Sequence, residues 1–289
     1  DKNLPIEHIK FILEDVHPKL LVFNNCKDII DNLSNNNEKN YDCKIYDLEK
    51  HNYSLNINAI NNTNNPKDIC YVIFTSGITG KPKGTLITYY NIYNFIRPYN
   101  EDCYKNGNNG YYNVLIKESN IKNILGITNF SFDPSFIELL FSIIHGLKLI
   151  LADEVTTEDT NLLSKYIVEN EIEFLQITPS RLNLYLENEE FKKALNKLKV
   201  LVLGVEELPL RLCKIIKEYS NCRIFNSYGP TECTIDSSFI EMDKYRIEKG
   251  NITIGKSLCH SKVYILDRNI KPVPVGVEGE IFIGGYGVG

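Results

Sequence analysis

The sequence predicts an α/β fold with mostly parallel sheets flanked by helices, followed by a smaller β-rich subdomain. Between residues 69 and 226, short apolar runs alternate with segments of helical periodicity, a spacing typical of a mostly parallel sheet. After residue 236 the helical signals fade and short strand-like runs dominate. We therefore expect an α/β core over residues 1–236 and a β-rich subdomain over residues 237–289.

Composition restricts the class of protein. The 289 residues, 43% hydrophobic and 24% charged, suit one large globular domain or two ordinary ones. The net charge of −5 gives no reason to expect nucleic acid or an anionic membrane as partner, and no run approaches the roughly 20 apolar residues of a membrane span. Eight cysteines without a C-x-x-C pair and five scattered histidines predict a reducing, cytoplasmic setting and no metal cluster.

Hydrophobic periodicity and turn residues predict the elements in order. A helix is expected from Pro5 to Val16 and a strand from Lys19 to Phe23, followed by an Asn-rich surface excursion over 24–66 with one strand near Lys44. Further strands are predicted at 69–74, 114–117, 147–151, 173–177, 200–203 and 222–226. Helices are predicted at 89–97, 134–146, 158–170, 179–187 and 207–219, with turn signals over 99–112.

A loop rich in glycine, hydroxyl and lysine residues follows the apolar run at 69–74. Residues 75–84, TSGITGKPKG, contain three glycines, three hydroxyls and two lysines. Glycines let backbone N–H groups approach a ligand, and hydroxyls and lysines bind phosphate oxygens. The spacing differs from the G-x-x-x-x-G-K-[ST] loop of ATPases, so an ordinary surface turn is the alternative.

A second polar loop, NSYGPTE at 226–232, follows the predicted strand at 222–226. Tyr228 can stack on a base, and Glu232 can bind Mg²⁺ together with phosphates. The alternative is a strand-end loop with a half-buried tyrosine. Because ligands of open α/β sheets bind at the carboxyl ends of strands, we expect the two loops to meet in one cleft.

Together these loops resemble the phosphate-loop motif and the adenine and magnesium motif of the adenylate-forming enzymes. Three further segments agree with this resemblance, at 5–23, 130–135 (FSFDPS) and 263–289. The details favour the amino-acid-activating adenylation domains of nonribosomal peptide synthetases over acyl-CoA synthetases or luciferases. The resemblance implies an incomplete large N-terminal domain, truncated at both ends, without the small C-terminal lid domain and its lysine. A fragment of this kind is expected to have low activity.

The resemblance implies ATP-dependent formation of an aminoacyl-adenylate, followed by thioester transfer to the phosphopantetheine arm of a carrier protein. Lys83 and Thr231 would contact phosphates, Glu232 would bind Mg²⁺, and all three would be catalytic. Tyr228 would stack on adenine. The implied nucleotide site comprises Thr75, Ser76, Gly77, Thr79, Gly80, Lys83, Gly84, Gly204, Asn226, Ser227, Tyr228, Gly229 and Thr231.

Asp133 decides the expected substrate class. A carboxylate beside an apolar helix start is costly unless paired, and its partner is either a substrate α-ammonium group or, as a helix N-cap, the backbone. The residues leave both roles open, and the resemblance favours the ammonium group. The implied amino-acid pocket comprises Asp133, Pro134, Ile137, Gln176, Leu201, Leu203, Ser227, Ile235 and Asp236.

The side chains of this pocket predict a small amino acid. Leu203 would make the pocket shallow, which suits glycine, alanine or serine, and a basic side chain that reaches Asp236 is the second possibility. From their periodicity alone, the four aliphatic members would be ordinary core residues, namely Ile137, Leu201, Leu203 and Ile235.

Three positions depart from the family pattern. Ile78 replaces a hydroxyl residue, Val205 replaces a glycine in Gly-Gly-Glu, and Ile137 replaces a frequent tryptophan. Two alternatives therefore stay open. One is an acyl-CoA synthetase-like ligase for another carboxylic acid, and the other is a degenerate nucleotide-binding module.

Overall fold

A computed structural model describes residues 4–35, 43–55, 61–76, 82–97, 113–250, 252–259 and 261–289. The chain forms two compact units. The first comprises Asp1–Asn65 and Phe74–Gly84, and the second comprises Pro66–Ile73 and Thr85–Gly289.

The first unit begins with the predicted helix and strand. Helix α1 (Ile6–Val16) ends where His17 adopts a left-handed conformation, with φ 48°. Strand β1 (Leu20–Phe23) pairs in parallel with β2 (Lys44–Asp47). Helix α2 (Lys27–Asn35) connects them, although its Asn-rich sequence predicts a broken loop. Its apolar residues Ile29, Ile30 and Leu33 have the spacing of one helix face, which outweighs the turn preference of asparagine.

Strands β3 (Ile69–Ser76) and β4 (Pro82–Thr88) form a two-stranded sheet. Helix α3 (Tyr89–Ile96) follows as predicted, and its N-terminus is closed by a capping box between Thr88 and Asn91. The capping box satisfies backbone donors that the first turn leaves free. The predicted turns at 99–112 lie outside the described residues.

A seven-stranded sheet forms the centre of the second unit. Its strand order is β11-β10-β9-β8-β7-β5-β6. Five strands run in parallel, β5 (Asn123–Gly126), β6 (Lys148–Leu151), β7 (Phe174–Ile177), β8 (Val200–Leu203) and β9 (Arg223–Tyr228). Two antiparallel strands extend one edge, β10 (Ser238–Glu241) and β11 (Lys256–Ser257). The α/β fold with a mostly parallel sheet is confirmed.

Both faces of this sheet are buried. In β8, Leu201 and Leu203 belong to one apolar cluster, and Val200 and Val202 belong to a second cluster. Successive residues of a strand point to opposite faces, so the two clusters cover opposite sides of the sheet. Continuous apolar strands such as VLVL are typical of parallel sheets that helices cover on both faces.

Four further helices of the second unit follow the prediction, and three short helices were not predicted. They are α4 (Ser135–His145), α5 (Glu154–Glu158), α6 (Thr160–Glu169), α7 (Pro179–Tyr185), α8 (Glu189–Ala194), α9 (Leu210–Tyr219) and α10 (Lys244–Lys249). The helix expected at 158–170 is α6, which begins after Asp159 because the Asp159 carboxylate accepts the Asn161 and Leu162 amides. The short helices α5, α8 and α10 were not predicted.

The strand predicted at 114–117 is wrong. Residues Asn113–Lys117 form a π-helical turn whose apolar side chains Val114, Leu115 and Ile116 are all buried. A short apolar run does not distinguish a buried strand from a buried helical turn. The strand that enters the sheet in this part of the chain is β5, which begins six residues after Lys117.

Strands dominate after residue 236, with α10 as the exception. Strand β12 (Ser261–Leu266) pairs antiparallel with β13 (Glu280–Gly285). The division into a core over 1–236 and a β-rich subdomain over 237–289 stays a proposal. The seven cysteines of the described ranges carry free thiols. Of the helices described, none is long and apolar enough to cross a bilayer.

We expect Phe141→Ala to lower the free energy of unfolding by about 3–5 kcal/mol. The Phe141 ring on α4 is fully buried and stacks against Phe95 with the ring centroids 6.2 Å apart. Ile143→Ala on the same helix is the matched control, since Ile143 is 68% exposed and should change stability by less than about 0.5 kcal/mol. Urea unfolding of the three proteins measures both effects, and equal midpoints would contradict the packing described.

Candidate active site

The candidate site lies where the parallel strands of the second unit end. The register places Ile177 opposite Leu203 and Leu203 opposite Asn226. The segments that leave β5, β7, β8 and β9 therefore start at one edge of the sheet. The predicted adenine and amino-acid residues lie in the last residues of these strands and in the segments that follow them, and this edge is where ligands of α/β sheets bind.

Two predicted site glycines are required by close backbone packing at this edge. A Cβ on Gly204, directly after β8, would lie 2.4 Å from Ser227 Oγ. A Cβ on Gly229, after β9, would lie 2.3 Å from the Ile235 carbonyl oxygen and 2.6 Å from Asp236 Cα. No side chain fits at these distances, so the two glycines let the strand-end segments pack against each other.

A cavity of about 210 Å³ opens at the same edge. Three predicted site residues line it, namely Pro134, Gln176 and Gly204. The other residues around it are Ile127, Thr128, Asn129, Phe132, Ile177, Thr178, Arg181 and Val205. Residues from three separate sequence segments thus surround one space, as expected of a ligand pocket.

Asp133 is buried beside this cavity and does not cap the helix. Helix α4 begins at Ser135, and Pro134 at its N-cap position provides no side-chain hydrogen bond. Asp133 is 7% exposed. Burial raises the pKa of its carboxyl to about 6, although hydrogen bonding from the Ile235 backbone and the Thr231 hydroxyl lowers it. Among the described residues, Asp133 Oδ2 has no hydrogen-bond partner, so the N-cap interpretation is wrong.

Two more predicted pocket residues carry buried polar atoms. Within the described ranges, Gln176 Oε1 and Ser227 Oγ have no hydrogen-bond partner. Buried polar atoms are usually satisfied by protein or ordered water, and leaving one unsatisfied costs about 1–3 kcal/mol. Together with Asp133 Oδ2, these atoms are suited to bind a polar ligand.

The aliphatic pocket candidates are fully enclosed. Leu201 and Leu203 belong to one core cluster, and Ile137 and Ile235 belong to the other. All four are no more than 2% exposed. Asp236 is also buried, with 6% exposure. Their roles as pocket residues stay predictions.

The NSYGPTE segment forms the end of β9 and a short 3-10 turn over Thr231–Cys233. The Asn226 amide donates to the Thr253 carbonyl at 2.8 Å, and Tyr228 is half-buried. The backbone then passes through left-handed conformations at Thr234 and Ile235, with φ of 62° and 67°. Such conformations are costly for β-branched residues and are often found at functional sites.

This left-handed turn is fixed from outside the segment. Thr234 Oγ1 donates to the Gly287 carbonyl at 2.6 Å, and the Gly289 amide donates to the Glu232 carbonyl at 2.9 Å. The Asn91 side chain also donates to the carbonyls of Tyr286 and Val288, both at 2.9 Å. The last residues of the chain therefore position the backbone that carries Glu232.

The Glu232 side chain fits the predicted role as a magnesium ligand. It is exposed, and across the described ranges no group of three or more His, Cys, Asp or Glu side chains could hold a metal by itself. Mg²⁺ usually retains several waters and binds one or two carboxylates together with substrate phosphates. A single exposed carboxylate is compatible with this mode of binding, and the role of Glu232 as a magnesium ligand stays a prediction.

The predicted phosphate loop belongs to the first unit. Thr75 and Ser76 end β3, and Lys83 and Gly84 lie in β4 with the Lys83 side chain exposed. Gly77, Ile78, Thr79 and Gly80 lie outside the described residues. The convergence of this loop with NSYGPTE stays a prediction.

Val205, which replaces a glycine of the family pattern, has the backbone conformation of a glycine. Its φ is 71°, in the left-handed region that β-branched residues rarely adopt. Its side chain is 67% exposed and lines the cavity. The Val205 side chain therefore takes up space in the cavity, at a position where the backbone conformation favours glycine.

Glu138 was not predicted as a site residue, yet it fixes one wall of the cavity. It is 3% exposed and accepts hydrogen bonds from Thr128 Oγ1 at 2.6 Å and from the Thr128 amide at 3.2 Å. These bonds hold the start of the segment that leads to Asp133. A single acidic residue within the apolar helix sequence SFIELLFSIIH was the signal that could have identified it.

Arg181 was also missed, since nothing in its sequence context sets it apart from a surface residue. It lines the cavity, and its Nε donates to the Tyr185 hydroxyl at 2.8 Å. The Tyr185 hydroxyl in turn donates to the Thr157 carbonyl at 2.6 Å. This chain of hydrogen bonds holds a cation at the cavity wall.

We expect Glu138 to make stability fall as pH rises from about 4.5 to 7. Burial raises its pKa from 4.5 to about 7, so within this range the folded state binds more protons than the unfolded state and loses stability with rising pH. The loss from Glu138 amounts to about 3 kcal/mol and is complete above pH 7.

Urea unfolding between pH 4 and 8 of the wild type and Glu138→Gln measures this contribution. Asp133 has a pKa raised in the same direction, but it is present in both proteins and cancels in the difference. Glu138→Gln should show the weaker pH dependence, and parallel curves for the two proteins would contradict the raised pKa.

Comparison with known proteins identifies the family. The profile described as "AMP-binding enzyme" matches residues 1–289. The chain is 31% identical to Bacitracin synthase 1 of Bacillus licheniformis over 229 residues, which is 77% of this chain and 4% of that protein. It is 31% identical to Gramicidin S synthase 2 of Brevibacillus brevis over 289 residues, which is 100% of this chain and 6% of that protein.

A solved structure of a four-domain nonribosomal peptide synthetase bound to AMP and glycine is similar to this chain. The identity is 26% and the TM-score 0.76, over 100% of this chain and 19% of the solved one. This chain thus spans only a small part of the relatives it matches. The motifs, the fold and these matches agree, and the chain belongs to the AMP-binding enzyme family, with nonribosomal peptide synthetases among its relatives.

Proposed function

We propose that the full-length protein activates an amino acid with ATP and passes it to a carrier protein. In the first step the substrate carboxylate attacks the α-phosphorus of ATP, the bond to the β-phosphate oxygen breaks, and aminoacyl-adenylate and pyrophosphate form. In the second step a phosphopantetheine thiol attacks the acyl carbon, and AMP leaves. The main support is Asp133, a buried carboxyl with one unpartnered oxygen.

The first step requires positioning and charge neutralisation more than covalent catalysis by the protein. We assign Thr231 to an α-phosphate oxygen and Glu232 to the Mg²⁺ that accompanies ATP, which would supply positive charge to the phosphates. Lys83 and the phosphate loop are assigned to the β- and γ-phosphates. The adjacency of Asp133 and Thr231, whose hydroxyl lowers the pKa of the Asp133 carboxyl, supports one site for both substrates.

Tyr228 is assigned to the adenine base. It is half-buried at the end of β9, which leaves part of its ring available for stacking. Gly204 is buried at the end of the adjacent strand, where its backbone is assigned to the edge of the base.

The substrate is proposed to be a small amino acid. An α-ammonium group would satisfy Asp133 Oδ2, and Gln176 and Ser227 would add polar contacts. The solved relative bound to AMP and glycine supports a small side chain. The synthetase relatives support a carrier protein as partner, and the proposal includes its phosphopantetheine thiol as acceptor and a cytoplasmic location.

Amino-acid-dependent exchange of pyrophosphate into ATP tests the proposal on the full-length protein. We expect exchange with at least one small amino acid, and a loss of at least about 100-fold in Glu232→Ala, because removing a charge-stabilising group costs about 3 kcal/mol or more. The matched control is Glu207→Ala, an exposed carboxylate after β8, which should keep full activity.

Raising the Mg²⁺ concentration should partly restore Glu232→Ala if the carboxylate acts through the metal. Exchange that depends on carboxylic acids without an amine, and on no amino acid, would assign the chain to the acyl-CoA synthetase-like class. Nucleotide binding without any exchange would identify a degenerate binding module.

Amino-acid kcat/KM should fall about tenfold for each pH unit below 6. The α-ammonium group requires an ionised Asp133, and the pKa of that carboxyl is about 6 before substrate binds. Asp133→Asn should raise the amino-acid KM about 100-fold, equal to nearly 3 kcal/mol, and should flatten this pH dependence.

The control for this pH profile is Asp15→Asn, an exposed acid on α1, which should keep the wild-type profile. The same fall in kcat/KM for Asp133→Asn and wild type would show that another group titrates. The ammonium role of Asp133 would then be wrong.

A further inference from the structure

Tyr71 of β3 packs against Phe136, three residues after Asp133, although neither its sequence position nor the motif comparison singles it out. Its ring stacks on Phe136, with the centroids 4.3 Å apart and the planes at 14°. The Phe136 amide donates to the Asp133 carbonyl at 2.9 Å. The stack therefore fixes the phenol against the first turn of α4, where Asp133 enters the site.

The two side chains share an unusual feature. Tyr71 Oη and Asp133 Oδ2 are both buried, and neither has a hydrogen-bond partner in the part of the chain that the structure describes. After burial, the negative charge of Asp133 contributes to raising the pKa of Tyr71. Each of these two buried atoms is costly to leave unsatisfied.

The surroundings indicate which kind of group would satisfy both atoms. Asp133 forms no ion pair with a described lysine, arginine or histidine, and Glu232 adds further negative charge nearby. The Tyr71 hydroxyl can donate or accept a hydrogen bond, whereas an ionised Asp133 carboxylate only accepts. A single group that satisfies both atoms must therefore donate to the carboxylate, and a positive charge is favoured. A primary ammonium group has three N–H donors and one positive charge.

We propose that Tyr71 is a second ligand of the substrate α-ammonium group, which donates one hydrogen bond to Asp133 Oδ2 and another to Tyr71 Oη. This inference rests on the proposed amino-acid activation. The stack on Phe136 gives the phenol a fixed position before substrate arrives, so little side-chain entropy is lost on binding. The pair selects for substrates that carry an amine.

Tyr71→Phe in the full-length protein tests the inference, since it removes the hydroxyl and keeps the stacked ring. We expect the amino-acid KM to rise about tenfold, which is the effect of one hydrogen bond to a charged group. The ATP KM and kcat should stay within about twofold. The matched control is Tyr264→Phe, a 48% exposed tyrosine on β12, which should leave all three constants unchanged.

A double-mutant cycle separates direct binding from an indirect effect. If both groups bind one ammonium, Tyr71→Phe should have a clearly smaller effect in the Asp133→Asn background. An unchanged amino-acid KM in Tyr71→Phe overturns the inference. A loss of kcat and of ATP affinity with a lowered melting temperature also overturns it, because the hydroxyl would then serve the fold or a water beside Asp133.

Calorimetric titration with amino acids in the absence of ATP distinguishes this inference from the proposed function. Binding that is equal in wild type and Tyr71→Phe overturns the role of Tyr71 and leaves amino-acid recognition intact. A wild type that binds no amino acid and shows no exchange overturns both. Binding weakened about tenfold in Tyr71→Phe supports both.

Discussion

The burial of β7 and β8 on both faces is the constraint on which the rest of the second unit depends. All eight of their residues are buried, so neither strand can shift by one residue without exchanging its two apolar clusters. This fixed register brings Gln176, Gly204 and Asn226 to one edge. The geometry of this edge therefore depends on the packing of the core beneath it.

Burying polar groups at that edge without hydrogen-bond partners lowers the stability of the fold. Asp133 Oδ2, Gln176 Oε1, Ser227 Oγ and Tyr71 Oη are buried without partners among the described residues. Glu138, by contrast, is fully engaged with Thr128. The Glu138 carboxyl therefore stabilises the fold, whereas the Asp133 carboxyl has an oxygen available to bind a ligand. Burial raises the pKa of both carboxyls.

Three β-branched residues in the same region have left-handed backbone conformations. They are Val205, Thr234 and Ile235, and each follows the carboxyl end of a strand. The surrounding packing compensates for the cost of these conformations, through the glycine contacts of Gly229 and the Thr234–Gly287 hydrogen bond. The position of Glu232 therefore depends on hydrogen bonds between residues more than fifty positions apart in the sequence.

The sequence by itself determined the α/β class, the parallel strands from 147 onwards and the family, because apolar runs of fixed length and the motifs TSGITGKPKG and NSYGPTE are local patterns. It did not determine that Asn113–Lys117 is helical, since a short buried run has no diagnostic period. Only the tertiary structure decided three points. Asp133 is no helix cap, Glu138 accepts hydrogen bonds from Thr128, and Tyr71 stacks on Phe136. Those facts depend on contacts between distant segments, and burial and missing partners are properties of the packed chain that no local pattern records.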